Sequence, residues 1–536
     1  MKCKKILALV LSCVMLLSLL AACDTQKPVE TQSKETEGST KPVETTPPTT
    51  EDPGIVFPLE EQMEVSVMVT MGNAAYSVTD NLAWQYLQEM SNIKFNVTEF
   101  AASEVSEKAG LLMNSGEYTD VIFKVSALDA NKYGMDGILI PLEEMIREYM
   151  PNLCALLDER DGWNTITAGD GHIYAIPMVQ NGYQMGAGGM TWWINKGWLD
   201  KLGLEMPTSP EELYNVLKAF KERDPNGNGK ADEIPLGVHN THTSHNALLG
   251  YFGEGLGYSN YRMIIDGKLE YLPTTEWYKD NALKFYKQLW DEGLVNPEMF
   301  TMDRDQSRAV CGGEDVIYGM IWDSTPTYFA DPEECFNWVA LQPFDKSLFA
   351  IDNGLQKNGM SITDKCQNPE VLLAWADFLY SEEGGRVIRM GVEDVTYKIN
   401  DDGTYEMIKD GFENVTFQGT LMGSATVPGK IPDIYYEKPV SLQTQHVNKE
   451  LYSDGYGAFN GCALMPNIVL SEEETEEYSV LYADVNSYMR TYFAECVTGL
   501  KDIDATWDEF QATMKEMGVD RMEQIQQAAY DRAMGN

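Results

Sequence analysis

"WWINKGWLDKLGLEMPTSPEELYNVLKAFKERDPNGNGKADEIPL" occupies positions 192–236, and its reading decides the fold. It opens strand-like at Thr191–Asn195 and then turns helical. Ser209, Pro210 and Glu212 stand where a helix over 209–223 wants its N-cap, first and third residues, and "EIPLGV" (233–238) reads as a strand. Between that helix and strand lies "DPNGNGKADEIP" (224–235), with oxygen-bearing side chains on alternate residues around two glycines. Calcium takes six to eight oxygens, and EF-hand loops supply them from positions 1, 3, 5, 7, 9 and 12. Asp224, Asn226 and Asn228 fill the first three, Gly229 takes the sharp turn, Lys230 offers its backbone carbonyl, and Asp232 falls ninth. Pro235 stands where the bidentate glutamate belongs, and Glu233, two places earlier, substitutes for it. The stretch reads as strand, helix, shortened calcium loop and strand, with a solvated Asp/Asn/Gly turn as the alternative to the metal.

The same alternation extends towards the N-terminus. "MEVSVMVT" (63–70), "IKFNVTEF" (93–100) and "TDVIFKVS" (119–126) have strand character, while "DNLAWQYLQEM" (80–90, capped by Asp80) and "SEVSEKAGLLMNSG" (103–116, ended by Gly116) have a helical period. A β-α-β-α-β run implies a mostly parallel sheet covered by helices, with ligands collecting at the carboxyl ends of its strands. Those ends carry Tyr76, Ser126 and Asp129. Towards the C-terminus follow a long helix over 275–294, a buried strand "VIYGMIWDS" (316–324), a strand "GMSIT" (359–363) leading back to the first lobe, and helices over 472–500 and 506–534.

About 475 residues of such sequence exceed a single core. The expected fold is α/β and two-lobed, of the type II periplasmic-binding-protein kind, with a ligand cleft between the lobes and a helical C-terminal extension. Residues 60–190 plus 360–536 are expected to form the first lobe with the C-terminal helices, and 191–359 the second lobe with the calcium loop. Ahead of them, Lys2, Lys4 and Lys5 precede the apolar run 6–20, too short for a membrane span, which leads into "LAAC" (20–23). Small residues before a cysteine resemble the lipobox of bacterial lipoproteins, which implies a signal peptide over 1–22 and lipid on Cys23; an ordinary secretory signal is the alternative. Residues 23–59, the lipidated Cys23 and its Thr/Glu/Pro-rich tract, have almost nothing to bury and read as a disordered tether.

A formal charge of −43 without a basic stripe excludes nucleic acid and anionic head groups as partners. Beyond the leader and Cys23 there remain Cys154, Cys311, Cys335, Cys366, Cys462 and Cys496, widely scattered and never in CxxC spacing. They read as buried small hydrophobes.

The quoted stretch, together with "IYAIP" (173–177), "EGLVNPEMF" (292–300), "FLYSEEGGRVIRMGVEDVTYKINDDGTYE" (378–406) and "QIQQAAYDRAM" (524–534), resembles family 1 extracellular solute-binding proteins. These are the LplA-like lipoproteins of Gram-positive bacteria; the chain is also similar to alginate-oligosaccharide-binding proteins. The resemblance covers nearly the whole chain after the leader. It implies a monomeric, lipid-anchored protein on the outer face of the cell membrane, a carbohydrate ligand, and delivery to an ABC transporter permease. It also implies that Asp224, Asn226, Asn228, Lys230, Asp232 and Glu233 hold a structural Ca2+.

Sugars present apolar C–H faces and rims of hydroxyls, so their sites pair aromatic platforms with polar forks. Trp192 and Trp193 on the crossover strand, Trp322 with Asp323 at a strand end, Tyr251 and Tyr258 in a glycine-rich segment, and Tyr435 and Tyr436 join Tyr76, Ser126 and Asp129 as candidate ligand contacts; for each ring a place in the core is the alternative. "HNTHTSH" (239–245) spaces His239, His242 and His245 three apart, which would suit zinc on a helix but suits a polar cleft better. No G-x-S-x-G, P-loop, HExxH or G-x-G-x-x-G signals an enzyme. A secreted glycan hydrolase or lyase needs only two carboxylates, such as Glu314 with Asp323, and is the alternative function. A peptide- or lipid-binding lipoprotein is a third.

Overall fold

A computed structural model of the chain describes residues 54–534 apart from 72–76, 102–103, 124–126, 161, 181–189, 241, 253–255, 258–261, 266, 314, 347–349, 352–353, 409–426, 440, 457–462 and 465–467. The leader, Cys23, most of the tether and Cys462 lie outside the described residues. No described helix is long and apolar enough to cross a membrane.

Among the described residues the first lobe is built on a six-stranded sheet in the order Gly429–Lys430, Ile176–Val179, Leu355–Ile362, Val121–Phe123, Met63–Met71, Ile93–Ala101. Met63–Met71 runs parallel to Ile93–Ala101, with Met63 opposite Ile93 and Met71 opposite Ala101, and parallel to Val121–Phe123. Leu355–Ile362 is inserted antiparallel between Val121–Phe123 and Ile176–Val179. The parallel strands are joined by helices Leu82–Ser91 and Val105–Ser115. The first starts one residue later than the sequence suggests: Asn81, not Asp80, accepts the hydrogen bond from the Trp84 N–H at 3.1 Å and is the N-cap, an equally good chemical choice for that position. The second ends at Gly116 in the left-handed conformation. Trp84, Phe95 and Trp375 form a ladder through this core, with neighbouring ring centroids 5.0 Å apart.

The second lobe holds a four-stranded sheet in the order Trp338–Ala340, Thr191–Asn195, Tyr318–Asp323, Ile234–Gly237. Every residue of Thr191–Asn195 and of Tyr318–Asp323 is buried, so both faces of this sheet are covered, as mixed α/β sheets require. Ser209 caps Pro210–Glu222 through the Glu212 N–H, while the Glu212 carboxylate accepts from the N–H and hydroxyl of Thr208 rather than from Ser209.

The C-terminal helices depart from the expected domain division. Helices Glu472–Val497, Ile503–Glu516 and Val519–Met534 put Val485, Met489, Tyr492, Phe493, Trp507, Phe510 and Met522 into the same hydrophobic cluster as Trp192, Leu217, Tyr286 and Trp322. They belong to the core of the second lobe. Tyr492 stacks on Phe510 at 4.0 Å, and Phe493 meets Tyr286 edge-on at 5.5 Å. Glu523 and Gln527, one turn apart, accept from the N–H groups of Tyr271 and Leu269, which occupies bonding groups on the outermost strand of a small third sheet that would otherwise be open for pairing. Cys154, Cys311, Cys335, Cys366 and Cys496 are free thiols, none of them exposed.

Candidate functional site

The connections between the lobes locate the cleft. Ile176–Val179 leaves the first-lobe sheet at its carboxyl end, and the next described strand begins at Thr191, which pairs with Asp323 at the carboxyl end of Tyr318–Asp323. The return starts and ends at the same two edges. Trp338–Ala340 is antiparallel to Thr191–Asn195 and finishes at that edge, and Leu355 arrives opposite Val179. These two crossings therefore join carboxyl edge to carboxyl edge, where open α/β sheets bind ligands; a third leaves the first-lobe sheet after Lys430, opposite Val179, for the second-lobe cluster that holds Val447 and Leu451.

At the second-lobe edge the structure sorts the expected contacts. Trp192, Trp193, Tyr251, Trp322 and Asp323 are all 0% exposed. Trp192 and Trp322 pack on one another with centroids 5.6 Å apart, the Trp193 indole N–H donates to the Asp323 carbonyl at 3.0 Å, and the Tyr251 hydroxyl pairs with that of Thr191 at 2.7 Å. These four rings are core, not platforms: the three tryptophans lie on strands buried on both faces, and Tyr251 ends helix His242–Tyr251 with its ring fully buried. Asp323 is likewise unavailable as a free acceptor. Its carboxylate takes the Arg308 Nε and Nη2 at 2.6 and 2.7 Å and the Ser324 N–H at 2.7 Å. Beside it His239 is buried and hydrogen-bonded to the Trp322 backbone; burial holds its pKa below the usual histidine value despite that bond and the nearby Asp323.

Two residues that sequence reasoning missed stand out here. Arg308 reaches Asp323 from helix Arg304–Cys311 and lies 4.5 Å from the ring centre of Tyr328. Tyr328 itself is 60% exposed. Only the short spacing "DSTPTY" (323–328) could have signalled that an aromatic follows the strand end.

On the first lobe Tyr76 and Ser126 lie outside the described residues, as does Tyr258 of the second. Asp129 is placed on helix Ala127–Met135, its side chain outside what is described. Tyr435 is half-buried in a satellite cluster, stacked on Tyr405 at 6.1 Å, with the Arg389 guanidinium 4.3 Å from its ring and donating to its hydroxyl. Tyr436 meets Tyr435 edge-on. Gln180, at the exit of Ile176–Val179, has its side-chain Oε1 buried without a donor. Of the carboxylate pair considered for an enzyme, Asp323 is tied to Arg308 and Glu314 is outside the described residues. The side chains of His242 and His245 are too, and among the described residues no three of His, Cys, Asp and Glu converge as for a metal.

The loop 224–233 converges through amides as well as carboxylates. Asp224, at a positive φ of 44°, accepts from the Gly227 and Gly229 N–H groups, and both glycines are left-handed. The amides of Asn226 and Asn228 stand 3.2–3.4 Å from the Asp232 carboxylate. Glu233 is 1% exposed and its Oε1 has no partner. Its pKa is raised, chiefly by burial, with Asp232 and Asp224 adding to the rise. A buried carboxylate oxygen with no donor and two carboxylates nearby is the environment that a cation relieves. The residue types fit a calcium ion, and Glu233 Oε1 is the oxygen that asks for one, though Asp224, Asp232 and Glu233 are not gathered into one metal-holding cluster. The loop is lashed in place by Lys201, which donates to the Pro225 carbonyl at 2.6 Å, and Lys221, which donates to that of Glu233 at 2.8 Å.

A model of the family described as bacterial extracellular solute-binding protein matches residues 73–386. Over 510 residues the chain is 28% identical to the fructooligosaccharide ABC transporter substrate-binding protein FusA of Streptococcus pneumoniae, spanning 90% of this chain and 93% of that one. The solved structure of a FusA EF-hand mutant in complex with fructo-nystose aligns with a TM-score of 0.68 at 25% identity, over 88% of this chain and all of the other (100%). An HMO-binding solute-binding protein from Bifidobacterium longum infantis gives a TM-score of 0.75 at 22% identity, covering 88% and 99%. The alginate-binding protein AlgQ2, solved without calcium ion, gives 0.65 at 24%, also covering 88% and 99%. Those last two likenesses concern the fold alone.

Proposed function

This chain belongs to the bacterial extracellular solute-binding proteins, and from that premise we propose that it captures an oligosaccharide between its lobes and delivers it to an ABC transporter permease. The observation that carries the reading is the end-to-end match to an oligosaccharide-binding relative, over 90% of this chain and 93% of the other. The strand geometry supports it, since the crossings out to Thr191 and back to Leu355 start and end at the carboxyl edges of the two sheets. The protein acts as a monomer, held at the outer membrane face by lipid on Cys23, with the tether letting the lobes stand clear of the surface. It binds without turnover.

Calcium has a structural part in this reading. Bound by Asp224, Asn226, Asn228, Asp232, Glu233 and the Lys230 carbonyl, the ion would neutralise a carboxylate cluster and fix the end of Pro210–Glu222 to Ile234–Gly237. It supplies no chemistry to the ligand. The fit rests on the orphaned oxygen of Glu233 and the converging side chains around Asp232.

Calorimetric titration of the leaderless protein with kestose, nystose, lacto-N-tetraose and trigalacturonate tests the function, with each mixture afterwards assayed for new reducing ends. Saturable binding of at least one sugar without new reducing ends is expected. New reducing ends would establish the glycan-degrading alternative, and no binding to any of the four would sink the carbohydrate reading.

A further inference from the structure

We infer that Tyr328 is the second lobe's stacking platform for a sugar ring, and that Arg308, clamped by Asp323, is the positioning residue that holds it. This rests on the carbohydrate reading above and adds the contact itself.

The placement begins with the chain. The strand Tyr318–Asp323 ends at the cleft edge, and Thr325 caps the short helical turn Pro326–Tyr328 by accepting from the Thr327 N–H. The next residue, Phe329, is 2% exposed and packs edge-on against Trp338 with centroids 5.1 Å apart. With Phe329 driven into the core, the turn cannot rotate, and Tyr328 is left facing out at 60% exposure. An isolated exposed tyrosine would mean little. This one is backed by a constructed support.

That support is an ion pair at the protein's expense. The Asp323 carboxylate is 0% exposed and the Arg308 side chain 18% exposed, so both charges have lost most of their water. Such desolvation is offset only by close geometry, here the paired 2.6 and 2.7 Å bonds. Arg308 Nη1 is also taken, by Asp305 at 3.2 Å. Every guanidinium nitrogen therefore has a carboxylate partner. Arg308 is not offered as a hand for ligand; its remaining surface is its flat face, and Tyr328 lies 4.5 Å from it. A cation held beneath one face of a ring favours that ring orientation. The opposite face stays open, apolar and fixed before any ligand arrives, and preorganisation of this kind reduces the entropic cost of binding. Its chemistry fits the C–H face of a sugar ring, with the phenol hydroxyl free to meet a rim hydroxyl.

Tyr328→Ala and Tyr328→Phe, titrated with whichever of the four sugars the unmodified protein binds, test this. We expect Tyr328→Ala to weaken Kd roughly three- to tenfold and Tyr328→Phe to stay within about twofold, both with unchanged melting temperature, since the side chain supports no core. If the unmodified protein binds a sugar and Tyr328→Ala binds it equally well, the platform is wrong while the carbohydrate reading stands. If Tyr328→Ala loses affinity only together with melting temperature, the residue is structural and the platform is again wrong. If the unmodified protein binds none of the four, both fall.

Discussion

Truncating Trp322 to alanine separates the sequence reading of this site from the structural one. On the sequence, Trp322 ends an apolar strand beside an acidic residue and looks like a stacking ring, so its loss should weaken sugar binding and spare the fold. In the structure it is 0% exposed, opposite Trp192 in register and 5.6 Å from it ring to ring, within the second-lobe core. A buried tryptophan removes about 200 Å2 from water, which at ~25 cal/mol/Å2 is on the order of 5 kcal/mol. A partly compact unfolded chain lowers that figure, while the cavity left by an indole between two packed strands raises it, in line with about 3–5 kcal/mol for such truncations. We therefore expect Trp322→Ala to lower the stability of the second lobe by about 4 kcal/mol in urea unfolding followed by circular dichroism. Where the variant is still folded, calorimetric sugar affinity should remain within about twofold of the unmodified protein. A variant that unfolds at the original urea midpoint yet binds sugar tenfold more weakly would refute the assignment of Trp322 to the core.

Removal of calcium should act on stability and not on specificity. A chelator, or Asp232→Ala, is expected to lower the melting temperature by about 5 °C, the order of effect for an ion bound well above its Kd, with sugar preference unchanged; identical melting of metal-stripped and calcium-loaded protein would count against the ion. Deleting residues 471–536 strips the second-lobe core of Phe493, Trp507 and Phe510, so the shortened chain should lose cooperative unfolding of that lobe, and a shortened chain that melts like the full one would show the helices to be an appendage. His172 pairs with Glu143 at 2.7 Å, and that hydrogen bond, followed by the charge of Glu143, raises the imidazole pKa above its usual value. A raised folded value means that the pair's contribution is present below the ordinary histidine pKa and is lost as pH rises through the raised one. NMR titration of the five histidines should find His172 titrating high, returning towards 6.5 in Glu143→Gln; no change in that variant would dismiss the pair.

The features legible in the sequence were those set by local chemistry. The capping serine of Pro210–Glu222, the two left-handed glycines of the calcium loop and the alternating strands of the first lobe each depend on residues a few positions apart, and their side chains can satisfy the backbone in few other ways. The cap of Leu82–Ser91 slipped by one residue because Asp80 and Asn81 are chemically equivalent choices. Strand ends were harder. "VIYGMIWD" offers no polar alternation, and a strand of that composition is covered on both faces, so Trp322 had no open side to present; the ring that does face outward belongs to the turn after it. What set Tyr328 apart was Arg308, fifteen residues before Asp323 in the chain and joined to it only in space.

The C-terminal helices failed for a related reason. Their period identifies an apolar face, and an apolar face requires burial, but nothing in Val485, Met489, Phe493 and Phe510 specifies which lobe supplies the other half. Topology made the first lobe the natural guess, because Leu355–Ile362 returns there and the chain continues outward from its sheet. The partner was instead the helical segment around Tyr286 and Leu289, which shares its hydrophobic cluster with the C-terminal helices. A small sheet with every residue of two strands buried needs layers on both faces, and the C-terminal helices add to the cluster that supplies them. Which elements supply those layers is a global property of the lobe. It becomes visible only once the elements are assembled, where the chain beyond residue 362 adds Pro369–Phe378 and Glu382–Met390 to the first-lobe core and Glu472–Val497, Ile503–Glu516 and Val519–Met534 to the second.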